Sequence, residues 1–346
     1  MLSWQIMLII ATTVGCILLG GYCVLMSIKL KLTPSLDRYD YLFLGIIVLI
    51  YLAFSLVNFG EKATDKTIWS SSNSATHLIM KPAQTQTNGD LYFKTGVFTS
   101  ALLIQAQTTS SKSLITLAKI NPEIKEEPQL KWNSFHFSSP IPVTALYFTV
   151  ESSNIIPPEY RDTQHGVEIQ RLALYDLQNQ QMLSSVKIND SSGKDYSSIL
   201  EKQLTPLQLT NVWFNSAVFD EYYYAAAAEE YLKQWGTVTQ AHPPFAILII
   251  ALGICLFGLN PFGWRILANL SGVILIPLIY IFTKRLTGNR YAAMIAAILL
   301  SVDFMHFVIS RMASIEPFVT LFLLFEYLFL FQYLQAKLNN YGDKAA

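Results

Sequence analysis

The sequence predicts a multi-pass α-helical membrane protein that carries an inserted extracytoplasmic β-sandwich. Only 14% of the 346 residues are charged, and the mean hydropathy is +0.35, which is high for a soluble domain. Long apolar windows flank a polar block, residues 60–212. Short runs that alternate apolar and polar residues, separated by Asn, Gly, Pro and Ser, are typical of strands and predict the sandwich in this block.

Several apolar windows are long enough to cross a membrane, since a hydrocarbon core of about 30 Å needs about 20 helical residues. These windows are residues 5–28, 41–59, 265–283, 291–309 and 317–333. A further apolar segment, residues 245–257, is too short to cross. The first window lacks a basic amino-terminal region and a second window follows it, so it is interpreted as an anchor and not as a signal peptide.

The windows divide the chain into three predicted domains. Residues 1–59 hold two transmembrane helices, and residues 60–212 form the β-sandwich. Residues 213–346 form a membrane module with an outer motif loop, a re-entrant or interfacial segment and three transmembrane helices. The protein is therefore expected in the plasma (inner) membrane.

Positive charge sets the expected orientation, because Lys and Arg favour cytoplasmic loops. The basic loops around residues 29–38 and 284–290 can both lie inside only if residues 245–257 do not cross the membrane. The sandwich then lies outside the cytoplasm. Asp220, His242 and Arg265 reach one outer membrane face, and the connection that contains Arg311 and Glu316 returns to it.

Composition argues against several other classes of function. The formal net charge is zero and no long basic run is present, so no nucleic-acid partner is expected. The three cysteines, Cys16, Cys23 and Cys255, all lie in apolar segments and form no thiolate metal site. No His or Cys cluster demands a metal, although carboxylates alone could hold a divalent cation.

Two ionisable residues fall inside a predicted span. Asp303 and His306 are one helical turn apart, and ionisable groups within a membrane are candidates for function. An equally good interpretation is a structural pair that locks helix packing.

Three stretches carry a resemblance to a known family: VFDEYYYAAAAEEYL, HPPFAILIIALGICLFGLNPFGWRI and IPLIYIFTKRLTGNRYAAMIAAILLSVDFMHFVISRMASIE. With them, residues 213–335 resemble the amino-terminal half of the membrane module in phospholipid-carrier-dependent glycosyltransferases related to protein O-mannosyltransferases, of the GT-C class. This implies a GT-C-like fold embedded in the lipid bilayer. The polar block is more weakly similar to discoidin-like, galactose-binding-like domains.

The resemblance implies an inverting transfer of a hexose, such as mannose, from a polyprenyl-phosphate donor to a protein or glycan hydroxyl. Asp220 would be the catalytic base and Glu221 its support, while Arg265 and His242 would bind the donor phosphate. Elementary chemistry agrees, because a positioned carboxylate can take the proton of an attacking hydroxyl. A cation at the interface can stabilise the phosphate that leaves.

Two positions depart from the family pattern. The resemblance implies a lysine where Ile247 stands and an aspartate where Glu316 stands. Relatives also continue with further spans, so the chain is part of a longer polypeptide, is completed by a second membrane subunit, or is catalytically degenerate. The competing hypothesis is a non-catalytic GT-C-like subunit that binds carbohydrate or a partner protein. A transporter fragment is a third alternative, which clustered ionisable residues at the outer face disfavour.

Overall fold

The computed structural model describes residues 36–345 except 63–66, 72–75, 99, 112, 121–129, 152–165, 203–208 and 235–241. The chain divides into two compact units. We name them the membrane unit (Met1–Gly60, Ala241–Phe257 and Phe262–Ala346) and the sheet unit (Glu61–Gln240 and Gly258–Pro261). The predicted first span, residues 5–28, lies outside the described residues.

Apolar helices are present near four of the predicted windows. The helices of the described residues are α1 (Arg38–Ser55), α2 (Glu221–Lys233), α3 (Phe245–Phe257), α4 (Pro261–Thr287), α5 (Arg290–Val302), α6 (Phe304–Ser310) and α7 (Glu316–Ala345). By length and composition, α1, α4 and α7 can each cross a membrane, and α5 with α6 can form a fourth, bent crossing. The 13 residues of α3 extend about 20 Å, which is shorter than the hydrocarbon core.

The predicted span at residues 291–309 is broken at Asp303. This residue has extended backbone angles, φ −67° and ψ 122°, so it ends α5 and begins α6. The two helices meet at an angle of 60°. The break has a local cause, since the Asp303 carboxylate accepts a hydrogen bond from the backbone N–H of His306 and so caps α6.

At one end of the membrane unit, a buried carboxylate joins three helices. Asp40, near the start of α1, has no exposed surface. Its oxygens accept from the Tyr280 hydroxyl at 2.6 Å and pair with Lys284 at 2.5 Å and with Arg290 Nε at 3.0 Å. Below this end, apolar side chains of α1, α4 and α5 form a common core.

The opposite end of the membrane unit brings the end of α1 against the start of α4. The Arg265 guanidinium donates to the Phe59 carbonyl at 3.1 Å, and Arg311 donates to the Val57 carbonyl. Tyr51 and Ser310 share a hydrogen bond of 2.8 Å between their hydroxyls. The connection between α6 and α7 therefore lies at the same end as the start of α4.

Both ends of α3 contact this same end of the membrane unit. Phe257, at the end of α3, packs against Phe262 in the first turn of α4, with ring centroids 5.3 Å apart. Phe245, at its start, packs against Phe322 in the second turn of α7 at 5.4 Å. These contacts favour the prediction that the segment does not cross, which itself stays a prediction.

In the described residues of the sheet unit, nine strands form one antiparallel sheet. They are β1 (Trp69–Ser71), β2 (His77–Pro82), β3 (Gln86–Phe98), β4 (Ala101–Thr108), β5 (Leu114–Ile120), β6 (Trp132–Glu151), β7 (Val167–Asp176), β8 (Gln181–Met182) and β9 (Val186–Asp190). The main order is β1-β7-β3-β6-β2-β9, with β4 and β5 continuing from β6 and β8 from β7.

The unit contains one curled sheet, whereas a β-sandwich consists of two separate sheets. The 20-residue strand β6 pairs with β3 through its first half and with β2 and β4 through its second half. Both halves contribute to one apolar core, in which Phe93 of β3 lies against Phe148 of β6. A curled β-sheet is thus present where a sandwich was expected. Its likeness to discoidin-type domains and its position outside the cytoplasm stay predictions.

Candidate active site

Asp220 lies at the start of α2 with its carboxylate exposed. Its backbone carbonyl accepts from the N–H groups of Tyr223 at 3.0 Å and Tyr224 at 3.2 Å. Its side chain makes no capping hydrogen bond, because the residue already has helical angles of φ −73° and ψ −4°. The carboxylate is therefore not used by the helix start and can accept a proton from an external group.

Glu221, the neighbouring carboxylate, is fully buried. One of its oxygens accepts from the Val218 N–H at 3.0 Å. This bond closes the turn that precedes α2, and within it Phe219 has a left-handed φ of 48°. The two adjacent carboxylates thus differ sharply: Glu221 fixes the loop, while Asp220 faces outward.

Arg265 and Arg311 lie close together in the membrane unit. Arg265 is fully buried in the second turn of α4. Their bonds to the Phe59 and Val57 carbonyls hold both guanidinium groups against the same short segment after α1. Burial, followed by repulsion from Arg265, lowers the pKa of Arg311. Two neighbouring cations of this kind favour an anion between or beside them.

His242, Ile247 and Glu316 occupy three different settings. His242 is exposed just before α3, and Ile247 is fully buried within α3. Glu316 begins α7, where its carboxylate accepts from the Ser314 hydroxyl. The position where the resemblance implies a lysine therefore holds a side chain packed in the interior.

Asp303 and His306 do not pair through their side chains. The Asp303 carboxylate accepts from the His306 backbone N–H at 2.6 Å, as described above. The His306 ring stacks on Tyr51, with centroids 5.5 Å apart. Both residues thereby contribute contacts at the junction of α5 and α6, which favours the structural interpretation, and their functional role stays a prediction.

The predicted site residues fall into both units. Asp220 and Glu221 belong to the sheet unit, and the other predicted site residues belong to the membrane unit: His242, Arg265, Asp303, His306, Arg311 and Glu316. Within the membrane unit the structure brings Arg265 and Arg311 together. Among the described residues, no group of three or more His, Cys, Asp and Glu side chains is arranged to hold a metal ion.

Sequence reasoning missed a charged cluster on α2. Lys233 pairs with Glu168 of β7 and lies 3.8 Å from Glu229, one turn earlier on its own helix. The spacing of Glu229 and Lys233 is a signal for a helix-surface pair. This spacing does not predict the contact with Glu168, which lies on a strand distant in the sequence. The contact with Glu168 makes the cluster a buried one.

The comparisons with known proteins concern the carboxyl-terminal part of the chain. Residues 241–342 match the family described as dolichyl-phosphate-mannose-protein mannosyltransferase. These residues include all the predicted site residues of the membrane unit, while Asp220 and Glu221 precede them.

Named relatives agree with the family match. The chain is 35% identical over 111 residues to a polyprenol-phosphate-mannose–protein mannosyltransferase of Mycobacterium tuberculosis, covering 30% of this chain and 21% of the relative. It is 32% identical over 118 residues to the protein of that name from Corynebacterium glutamicum, covering 31% and 23%. It is 30% identical over 126 residues to protein O-mannosyl-transferase 1 of Danio rerio, covering 32% and 18%.

These matches concern one part of the molecule. The chain spans about a fifth of the length of the curated relatives it matches. No solved structure is significantly similar to it. The buried Arg265, its neighbour Arg311 and the short helix α3 all lie within the matched residues. Residues 241–342 of the chain, which lie in the membrane unit, are therefore similar in sequence to protein mannosyltransferases that use a lipid-phosphate mannose donor.

Proposed function

We propose that the protein transfers a hexose, mannose first among the candidates, from a polyprenyl-phosphate donor to a hydroxyl of a protein or glycan. The observation that carries this proposal is the family match over residues 241–342. The relatives' names specify a polyprenol-phosphate-mannose donor and a protein acceptor. The reaction is placed on the outer face of the plasma membrane and inverts the anomeric carbon.

Asp220 is the proposed base of this reaction. The acceptor oxygen attacks the anomeric carbon from the face opposite the phosphate, so a new C–O bond forms as the bond from that carbon to the phosphate oxygen breaks. The hydroxyl proton passes to the Asp220 carboxylate. The exposed carboxylate, which makes no capping hydrogen bond, supports this role. Glu221 is the proposed support, because its buried side chain bonds the Val218 N–H and fixes the turn.

Arg265 is the proposed partner of the leaving phosphate, with Arg311 beside it and His242 as a further donor. The leaving group gains negative charge as the bond breaks, and cations held in a low-dielectric setting stabilise that charge strongly. The carbonyl contacts of Arg265 and Arg311 support the proposal, since they hold both guanidinium groups before the donor arrives.

Replacement of Asp220 by Asn tests the proposal. We expect Asp220→Asn to lower sugar transfer from polyprenyl-phosphate mannose by roughly 100-fold or more, as loss of a general base does. The binding of the donor should change little. Asp195→Asn, at an exposed carboxylate in a polar turn of the sheet unit, is the matched control and should transfer at the wild-type rate. Equal transfer by wild type and Asp220→Asn would remove Asp220 from the base role.

A second candidate function is a non-catalytic subunit that binds carbohydrate or a partner membrane protein. Ile247 favours it, because this fully buried side chain leaves no cation where the resemblance implies a lysine. In this case the purified chain bears no transferase activity of its own. Transfer by wild type that is lost in Asp220→Asn would exclude this candidate.

A further inference from the structure

The segment before α2 exposes large apolar side chains. Val212 is 50% exposed, Phe214 45% and Phe219 80%. Phe219 is the most exposed large apolar side chain among the described residues. These three side chains lie within eight residues of one another, and clustered exposed apolar side chains mark interaction sites. We name residues 212–219 the apolar loop.

The backbone of the apolar loop is held firmly to the rest of the sheet unit. Ala217 N–H donates to the Leu130 carbonyl at 3.0 Å. Just ahead of the loop, the Asn211 side chain exchanges two hydrogen bonds of 2.8 Å with the backbone of Trp132. These hydrogen bonds fix the backbone of the loop, and its exposed apolar side chains are held by that backbone.

Phe219 combines its exposure with an unusual backbone angle. Its φ of 48° lies in the left-handed region, which a bulky aromatic residue rarely adopts. The Glu221 side chain maintains the turn by its bond to the Val218 N–H. Backbone strain of this kind is found mainly at functional positions, where surrounding contacts enforce it. Here it directs a phenylalanine ring out of the molecule.

A short stretch of chain links α1 to the residue that holds the apolar loop. Glu61 N–H donates to the Phe214 carbonyl at 2.7 Å. Glu61 follows Ser55, the last residue of α1, by six positions. Six residues reach at most about 20 Å even when fully extended. The linker between the end of α1 and the residue that bonds Phe214 is therefore at most about 20 Å long.

We propose that the apolar loop is a lipid-contacting element, with Val212, Phe214 and Phe219 inserted at the boundary between head groups and acyl chains. Aromatic side chains favour this layer, and apolar groups there are withdrawn from water. Lipid is the occupant because a short linker tethers the loop to α1, a helix long and apolar enough to cross a membrane. One consequence, which rests on the proposed function, is that the neighbouring Asp220 is held at the level of the donor phosphate.

Depth measurements on the full chain test the proposal without any activity assay. Cys16, Cys23 and Cys255 are replaced by Ala, and Phe219→Cys or Phe214→Cys is labelled with an environment-sensitive fluorophore. The protein is placed in nanodiscs of phosphatidylcholine and phosphatidylglycerol, one copy per disc. Ser192→Cys, in an exposed polar turn of the sheet unit, is the matched control.

The expected result is a blue-shifted emission at residues 214 and 219 that is quenched by lipids bearing a nitroxide near the head group and is protected from aqueous iodide. The label at residue 192 should behave in the opposite way. A water-like emission at residues 214 and 219 would overturn the proposal. So would a blue shift that nitroxide lipids do not quench, because it would indicate a protein occupant. If the labels report lipid contact but the protein transfers no sugar, the lipid-contact proposal is supported and only the proposed function is contradicted.

Discussion

Lys233 lies between the carboxylates of Glu168 and Glu229, and it neutralises the negative charge of Glu229 only weakly. Glu168 takes the close ion pair and also accepts from the Val97 N–H at 3.1 Å. Burial, followed by repulsion from Glu168, raises the pKa of Glu229 from 4.5 to about 8. Between these two pH values the folded protein holds a proton that the unfolded chain has released. The resulting stabilisation is fully present below about pH 4.5 and is lost as the pH rises through about 8.

Replacement of Glu229 by Gln should remove this part of the pH dependence, because the amide has no proton to lose. We expect wild type to lose stability between about pH 5 and pH 9 by on the order of 3 kcal/mol more than Glu229→Gln does. Thermal unfolding in detergent, followed by circular dichroism at several pH values, measures the difference. Glu151→Gln, at a half-exposed ion pair with Lys119, is the control and should follow wild type. Parallel curves for wild type and Glu229→Gln would show that Glu229 titrates normally.

Among the elements, α3 and α4 approach each other unusually closely. A Cβ atom added to Gly253 of α3 would lie 2.5 Å from the carbonyl oxygen of Gly263 in α4. Because that oxygen belongs to backbone, the two helices must separate to admit a methyl group. The glycine therefore sets the packing that keeps the end of α3 beside the first turn of α4.

Gly253→Ala should destabilise the membrane unit by about 2 kcal/mol, as overpacking of a filled interface does. Gly45→Ala is the matched control in α1, where an added Cβ meets nothing within 4 Å. Alanine there should be neutral or stabilising by about 0.5–1 kcal/mol. Unfolding temperatures of the two variants in the same detergent make the comparison. A Gly253→Ala protein as stable as Gly45→Ala would mean that α3 is not packed against α4.

The sequence predicts the helices whose formation depends on length and hydropathy. It does not predict features that depend on contacts between residues distant in the chain. The helices α1, α4 and α7 follow from apolar runs of sufficient length. The break at Asp303 was missed because an Asp within an apolar run suggests an ion pair as readily as a helix cap. The curl of the sheet was also missed, since only pairing shows that β6 joins both halves. The burial of Glu221 beside an exposed Asp220 likewise depends on the Val218 turn and not on composition.

For the whole molecule, the proposed reaction depends on how the chain crosses the membrane. The Asp40 end of the membrane unit carries Lys284 and Arg290, and the Arg265 end carries Arg311 and both ends of α3. The predicted orientation places the Asp40 end inside, because short loops rich in Lys and Arg stay in the cytoplasm. Both ends of α3 are then expected on the outer side of the membrane.

Single cysteines placed in a background free of Cys16, Cys23 and Cys255 report this topology. We expect His242→Cys, before α3, and Phe257→Cys, at its end, to react with a membrane-impermeant maleimide in right-side-out vesicles, because both positions are exposed in the fold and lie at the Arg265 end. Leu286→Cys, exposed near the end of α4, should react only after the vesicles are permeabilised. Reaction of residues 242 and 257 from opposite sides would make α3 a crossing helix. His242 and Arg265 would then be separated by the bilayer, and a common site for the donor phosphate would be excluded.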